Sequence, residues 1–380
     1  MAILKHFFYI LILLSWAASA QNLNVSGAAQ ISLLTCSPGD ELYSTFGHSA
    51  VRINDTLTGI DVVYNYGIFD FDTPNFYWLF VQGKLLYKLD VERTRYFIRQ
   101  YRTDNRRVIE QKLNLHDAEK TQILAFLNHN NLPENKYYLY DFFYNNCSTK
   151  IRDIFASELK DSLQLRPAHA ATKTFRQLLS EYLVPLPWAH FGIDFILGLP
   201  ADNIANYQNE MFLPDYLAQN LSQGYMMGWQ PLVSATETTI VDVPRTIVKP
   251  PFWQQPLFVF GLLLILTLLL TFFVQAKWLK TLFDVLLFGS LALCGVVFVF
   301  MGLVTNHQAT HYNLNMLWAN PLYLLLPAIN KTIIWKSIAL LVLLLLLLFP
   351  VFPQGFNVAF IPIFLCLIVR AANRAGLLKK

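Results

Sequence analysis

Asn145-Asn146-Cys147-Ser148-Thr149-Lys150-Ile151-Arg152-Asp153-Ile154-Phe155-Ala156-Ser157-Glu158-Leu159 is the stretch from which the soluble half of this chain is best read. Ile151, Ile154, Phe155 and Leu159 recur at helical spacing, so one face of a helix turns inward. Asn145 and Asn146 are residues that cap helix starts. Cys147 precedes Ile151 by four residues and therefore shares the inward stripe, one turn from the positive end of the helix dipole. That end favours a thiolate, and a thiolate is a nucleophile.

A thiol nucleophile needs a base. His48 opens a predicted strand in Phe46-Gly47-His48-Ser49-Ala50-Val51, just after the turn-prone Ser37-Pro38-Gly39-Asp40. The next strand, Val62-Val63-Tyr64-Asn65-Tyr66-Gly67, offers Asn65 to orient the imidazole, with Asp70 as substitute. Backbone N–H groups near Cys147 and Ser148 are the expected oxyanion donors. A histidine on a strand ahead of a cysteine on a helix is the order of a circularly permuted papain-like fold. Two plainer readings stand beside this one. Cys147 is a small core residue, or it forms a structural disulfide with Cys36, the other cysteine of the soluble half. Cys294 and Cys366 fall inside apolar runs and read as packing residues.

Around this centre, Gln30–Cys36, 48–53, 61–69 and 107–115 have the β-branched and aromatic content of strands. A helix is expected over 117–129, opened by an Asp cap and buried through Ile123, Leu124, Phe126 and Leu127. The fold class expected is an α+β, permuted papain-like domain followed by a helical membrane bundle. The 380 residues are 54% hydrophobic and only 14% charged, with mean hydropathy +0.37, which requires part of the chain to sit in lipid. At the N-terminus, Lys5, the apolar run from Phe7 to Trp16 and Ala18-Ser19-Ala20 read as a cleaved secretory signal. The divisions expected are a signal over 1–20, a thiol domain over 21–243, a proline-rich linker over 244–256, a bundle over 257–372 and a tail over 373–380.

Five apolar runs make up that bundle, near 257–274, 282–304, 317–329, 338–352 and 358–369. Lys277 and Lys280 follow the first, Lys331 and Lys336 the third, and Arg370, Arg374, Lys379 and Lys380 the fifth. The loops 305–315 and 353–357 carry no Lys or Arg. By the positive-inside rule the soluble domain lies outside the cytoplasm and the C-terminus within it. This is the topology of a multi-pass protein of a bacterial inner membrane with a periplasmic domain. The outward loop that holds His307, His311 and Asn313 is expected to line a substrate entrance. His307 and His311 have the i, i+4 spacing of a metal pair, but no third ligand lies near in sequence, so no metal is expected. The net charge of +4 and the exported location exclude nucleic acid as a partner. The basic, aromatic stretch 92–107 suits anionic lipid headgroups.

Several blocks resemble one family. They are Leu33-Leu34-Thr35-Cys36-Ser37-Pro38-Gly39-Asp40-Glu41-Leu42-Tyr43-Ser44 with Phe46-Gly47-His48, Tyr64-Asn65-Tyr66-Gly67, Asn105-Arg106-Arg107 with Leu113-Asn114-Leu115, Tyr140-Asp141-Phe142-Phe143-Tyr144-Asn145-Asn146-Cys147, and Trp188-Ala189-His190-Phe191-Gly192-Ile193-Asp194 with Gly198-Leu199-Pro200-Ala201-Asp202. In order and content they resemble the Lnb-type lipoprotein N-acyltransferase family of Bacteroidota. The resemblance implies a permuted papain-like thiol site mapping onto Cys147 and His48. It also implies transfer of an acyl chain from a membrane phospholipid, through a Cys147 thioester, to the α-amine of a lipidated N-terminal cysteine, with no cofactor. An envelope thiol peptidase or amidase is the alternative enzyme reading. A non-catalytic scaffold held by a Cys36–Cys147 bridge is the third.

Overall fold

Seven strands build one antiparallel sheet whose alternation gives each face something to bury. The computed structural model describes residues 25–244, 248–329 and 331–378, so the expected signal, part of the linker and the last two lysines lie outside the described residues. The strands are β1 (Gln30–Cys36), β2 (His48–Asp55), β3 (Ile60–Ile68), β4 (Leu86–Arg93), β5 (Val108–Leu113), β6 (Tyr137–Leu139) and, after the short β7 (Leu163–Gln164), β8 (Tyr225–Met226) and β9 (Gln230–Pro231), β10 (Val233–Val241). Their order is β10-β5-β1-β2-β3-β4-β6, and β7 to β9 form a separate small sheet.

The helices of this domain are α1 (Phe76–Val81), α2 (Thr94–Thr103), α3 (Asp117–Asn130), α4 (Cys147–Leu159), α5 (Phe175–Tyr182), α6 (Pro187–Ile196), α7 (Tyr207–Glu210) and α8 (Pro214–Ser222). On one face of the sheet Leu33, Val51, Ile53, Tyr64 and Leu89 bury against α3 and the inward stripe of α4, Ile151, Ile154, Phe155 and Leu159. The other face, with Leu34, Cys36, Ala50 and Val63, is covered by Phe97, Ile98 and Tyr101 of α2. Each fully buried Leu, Ile, Val or Phe among these contributes about 1.5–3 kcal/mol on burial. The mixed α/β architecture with an antiparallel sheet therefore follows from two apolar faces, each with its own helical cover.

Two expectations change in detail. The α3 cap is His116, whose N–H donates to the Glu119 carboxylate at 2.8 Å; Asp117 is the first helical residue, where its charge meets the dipole. The stretch 92–107 is not a single element: its start completes β4 and its middle is α2, with Phe97, Ile98 and Tyr101 buried and Arg95, Arg99 and Arg102 exposed on the outer side.

Beyond residue 248 the chain is helical: α9 (Pro256–Phe272), α10 (Lys277–Leu303), α11 (Thr332–Leu348) and α12 (Phe360–Arg374). Among the described residues Lys277–Leu303 and Thr332–Val351 are long and apolar enough to cross a membrane, and Leu266, Leu293, Leu340 and Leu347 stand exposed along the bundle. The third apolar run is not an α-helix. It forms 3-10 turns at Leu314–Leu317 and Pro321–Leu325, because Pro321 has no N–H to continue a ladder and the Asn320 side chain caps the Leu322 N–H at 2.9 Å. Non-helical backbone is tolerated at this depth only when protein covers it. Gly295 of α10 allows that cover, since a Cβ there would lie 2.5 Å from the Ala319 carbonyl oxygen.

The two uncharged loops meet the periplasmic-type domain, and the cations gather at the other end. Asn313 Nδ2 donates to the carbonyls of Phe195 and Ile196 at 2.9 and 3.1 Å, the Asn357 amide donates to Asp194 at 2.9 Å, and the Gly355 N–H to Asp202 at 2.9 Å. Arg176 ties both carboxylates from the domain side. At the opposite end Arg370, read from sequence as a loop cation, is fully buried and pairs with Asp284 at 2.6 Å. An isolated charge there would be costly, and the pair removes that cost.

Candidate active site

Asn146 fixes where the nucleophile candidate stands. Its Oδ1 accepts from the N–H groups of Ser148 and Thr149, each at 2.9 Å, and its amide donates to the carbonyls of Phe142 and Phe212, each at 2.8 Å. The side chain is 3% exposed, so the helix start is locked from four directions. One sequence expectation is corrected here. The Ser148 N–H is spent on the cap, which leaves only the Cys147 N–H of the two proposed oxyanion donors.

Cys147 then lies over the beginning of β2. Ser148 Oγ and Ser49 Oγ are 2.9 Å apart, stitching α4 to that strand. His48, the first residue of β2, lies on the same side of Gly67 as Cys147, near enough for its ring to act on the thiol, and its Nε2 lies 2.6 Å from Asn65 Oδ1. Because an amide oxygen only accepts, Nε2 carries the hydrogen and Nδ1 is left for the thiol. Cys147, His48 and Asn65 are thus brought together. Asp70 is not; it is exposed after β3, where its carboxylate accepts the Asp72 N–H at 2.9 Å.

The electrostatics follow from this packing. Burial alone would push the Cys147 thiol up, but the charge and hydrogen bond of the His48 ring, the Ser49 N–H and the Ser148 hydroxyl outweigh it and bring the pKa down to about 7. Burial works against the His48 cation, yet the adjoining thiolate and the Asn65 oxygen hold its pKa above the ordinary value. Each charge favours the other, so the pair is shifted toward thiolate and imidazolium.

Cys36 is a free thiol, as is Cys147. It packs in the α2-covered cluster and Cys147 in the other; the two lie near enough for the Cys147 charge to act on Cys36, but the structure holds them as separate thiols. Burial pushes the Cys36 thiol up to about 12, which leaves it unreactive.

Three residues at this site were not singled out in the sequence. Gly67 has φ +90, and a Cβ on it would lie 3.6 Å from Cys147 Cβ and 4.0 Å from His48 Cε1; its bareness keeps the space beside the dyad open. Glu92 lies near Asn65, and burial raises its carboxyl above the usual range. Arg106 donates from Nε to the Ser37 carbonyl at 2.9 Å and its guanidinium lies 4.6 Å from the Tyr101 ring centroid. The signal for Glu92 and Arg106 was hidden because both sit in a stretch that reads as a solvated basic face.

The outward-loop residues lie elsewhere. His307 Nε2 is 3.1 Å from the carbonyls of Phe80 and Val81, and Asn313 is committed to α6 as described. His311 keeps a buried Nε2 without a partner. Among the described residues no group of three or more His, Cys, Asp or Glu side chains is placed to hold a metal ion.

The comparisons agree with both halves of this architecture. Residues 18–181 match the family model described as the Lnb N-terminal periplasmic domain, and residues 249–380 match that of the Lnb transmembrane domain. No curated protein and no solved structure matches the chain. A periplasmic domain carrying a buried thiol beside an imidazole, joined to a membrane-bound helical region, is what the two matches together describe: the chain belongs to the Lnb family.

Proposed function

We propose that this protein is a lipoprotein N-acyltransferase that works through a Cys147 thioester, on a permuted papain-like domain held at the periplasmic side of the inner membrane with the C-terminus in the cytoplasm. The observation that carries the reading is the placement of His48 beside Cys147 around Gly67, with the His48 Nε2 held by Asn65 at 2.6 Å. Family membership supports lipoprotein N-acylation, and the dyad supports a covalent route.

In the first half-reaction the Cys147 thiolate attacks the ester carbonyl of a phospholipid. The developing oxyanion faces the Cys147 N–H at the helix start. His48, protonated at Nδ1, gives that proton to the departing lyso-lipid oxygen, and a thioester remains. The neutral α-amine of the lipidated cysteine, whose unperturbed pKa is about 8, then attacks the thioester. His48 Nδ1 takes the amine proton, an amide forms and the thiolate is released. Every step uses side chains of this chain, with phospholipid and lipoprotein as the two substrates. The polar outward loop enters the proposal as an anchor between domain and bundle. Of its three singled-out residues, His311 alone keeps an unpartnered ring nitrogen for a substrate contact.

The test is a Cys147→Ala variant in a host that depends on this protein, read by mass spectrometry of a lipoprotein N-terminus. The expected result is diacylated lipoprotein. Unchanged triacylation removes the proposal.

A further inference from the structure

α1 is six residues long, and three of its four aromatic side chains are turned outward, Phe76 alone being buried. Tyr77 is 78% exposed, Trp78 54% and Phe80 50%. An exposed aromatic cluster of this kind marks an interaction surface. Its position identifies the partner. The Trp78 ring lies 6.0 Å from that of Phe300, three residues from the outer end of α10, and the Asn306 N–H donates to the Gln82 carbonyl at 2.8 Å. Gly83, at φ +68, permits this approach, since a Cβ there would lie 3.3 Å from Asn306 and His307. α1 is therefore pinned at the level where α10 leaves the bilayer, the depth at which Trp and Tyr concentrate in membrane proteins.

Behind α1, aromatic rings continue to the nucleophile. Phe76 lies 5.8 Å from Phe69, Phe69 5.3 Å from Tyr87, and Tyr87 stacks on Tyr140 at 4.2 Å. Tyr140 closes the series at Gly67, 4.0 Å from where that residue's Cβ would be, beside Cys147. A tract of rings is an apolar surface along which an alkyl chain loses no hydrogen bonds.

We propose that α1 is immersed in the periplasmic-side leaflet and that the ring tract behind it receives the acyl chain of a bilayer lipid and leads its ester to Cys147. The acyl-path part rests on the acyltransferase reading; the immersion of α1 does not.

The test uses the full-length protein in vesicles of phosphatidylethanolamine and phosphatidylglycerol. For immersion, a bimane label is attached at Tyr77→Cys in a Cys147→Ala background, and quenching by a chain-nitroxide phospholipid is compared with quenching by iodide. Lipid-borne quenching at least twofold above aqueous quenching is expected. Phe71 stands exposed at the mouth of the tract, its ring 5.0 Å from Phe69 and 4.9 Å from Phe76. For the path, Tyr77→Asp and, separately, Phe71→Asp should slow acylation of Cys147 by vesicle lipid at least tenfold. Alkylation of Cys147 by iodoacetamide, which enters from water, is followed alongside to show an intact thiol site. Preferential quenching by iodide, or wild-type acylation in both aspartate variants, overturns the proposal. If unmodified protein acquires no acyl group from the vesicles, the acyltransferase reading fails, and the quenching comparison still decides where α1 lies.

Discussion

Replacing His48 with alanine should strip Cys147 of its ionisation without removing the thiol. With His48 in place the thiol has a pKa of about 7 against an ordinary 9.0, so near neutrality about half of the sites are thiolate. The variant keeps the burial and loses the largest stabilising partner, which returns the pKa to 9 or above. At pH 7 no more than roughly one thiol in a hundred is then ionised, a drop of about 50-fold, or about 2.3 kcal/mol at 1.36 kcal/mol per tenfold change. The assay is iodoacetamide alkylation of the full-length protein between pH 5 and 10, read as intact mass at Cys147. Cys36 does not interfere, because its pKa is pushed up to about 12. The unsubstituted protein should lose reactivity as pH falls through about 7, since the lowered pKa keeps thiolate present only above it. Acyl transfer should have a second limb, falling as pH rises through the raised His48 pKa, where the proton for the leaving group is lost. An alkylation midpoint that does not move in His48→Ala refutes the dyad.

Asn65→Ala frees the imidazole to rotate and exchange tautomers; acylation should fall by about 10² with little change in melting temperature, because only an orienting contact is lost. Asn146→Ala leaves two buried N–H groups and two carbonyls unpaired at the start of α4 and should cost about 2–3 kcal/mol, seen as a lower melting temperature of the full-length protein. Arg176→Met leaves Asp194 and Asp202 buried without their shared cation; a loss of about 3–5 kcal/mol is expected, with faster protease cleavage between domain and bundle.

Much of the site was legible because it is local. The Asn-Asn-Cys start of α4, the strand that opens at His48 and the β3 segment carrying Asn65 each announce themselves through caps, alternation and spacing. What did not show was anything set by strands that lack a strong pattern. β4 and β10 are polar along much of their length, so Glu92, which lies near Asn65 across β3 and β4, had no periodic signal to mark it. Gly67 looked like an ordinary strand residue, although its positive φ and bare Cα keep the space beside the thiol.

The chain's amino acids by themselves determined the division into an exported α/β domain and an apolar bundle, the sidedness of the loops, and the residue types able to form a thiol site. Hydropathy, charge and short-range periodicity are properties of neighbouring residues and need no tertiary context. Only the tertiary structure decided that Cys36 and Cys147 pack into separate apolar clusters as free thiols, that Ser148 spends its N–H on Asn146, and that Arg370 is a buried partner of Asp284. It also decided that the third apolar run lies as turns against Gly295 of α10. Each of these depends on which distant segment supplies a partner, and burial, hydrogen bonding and pKa are set by partners that sequence distance does not reveal.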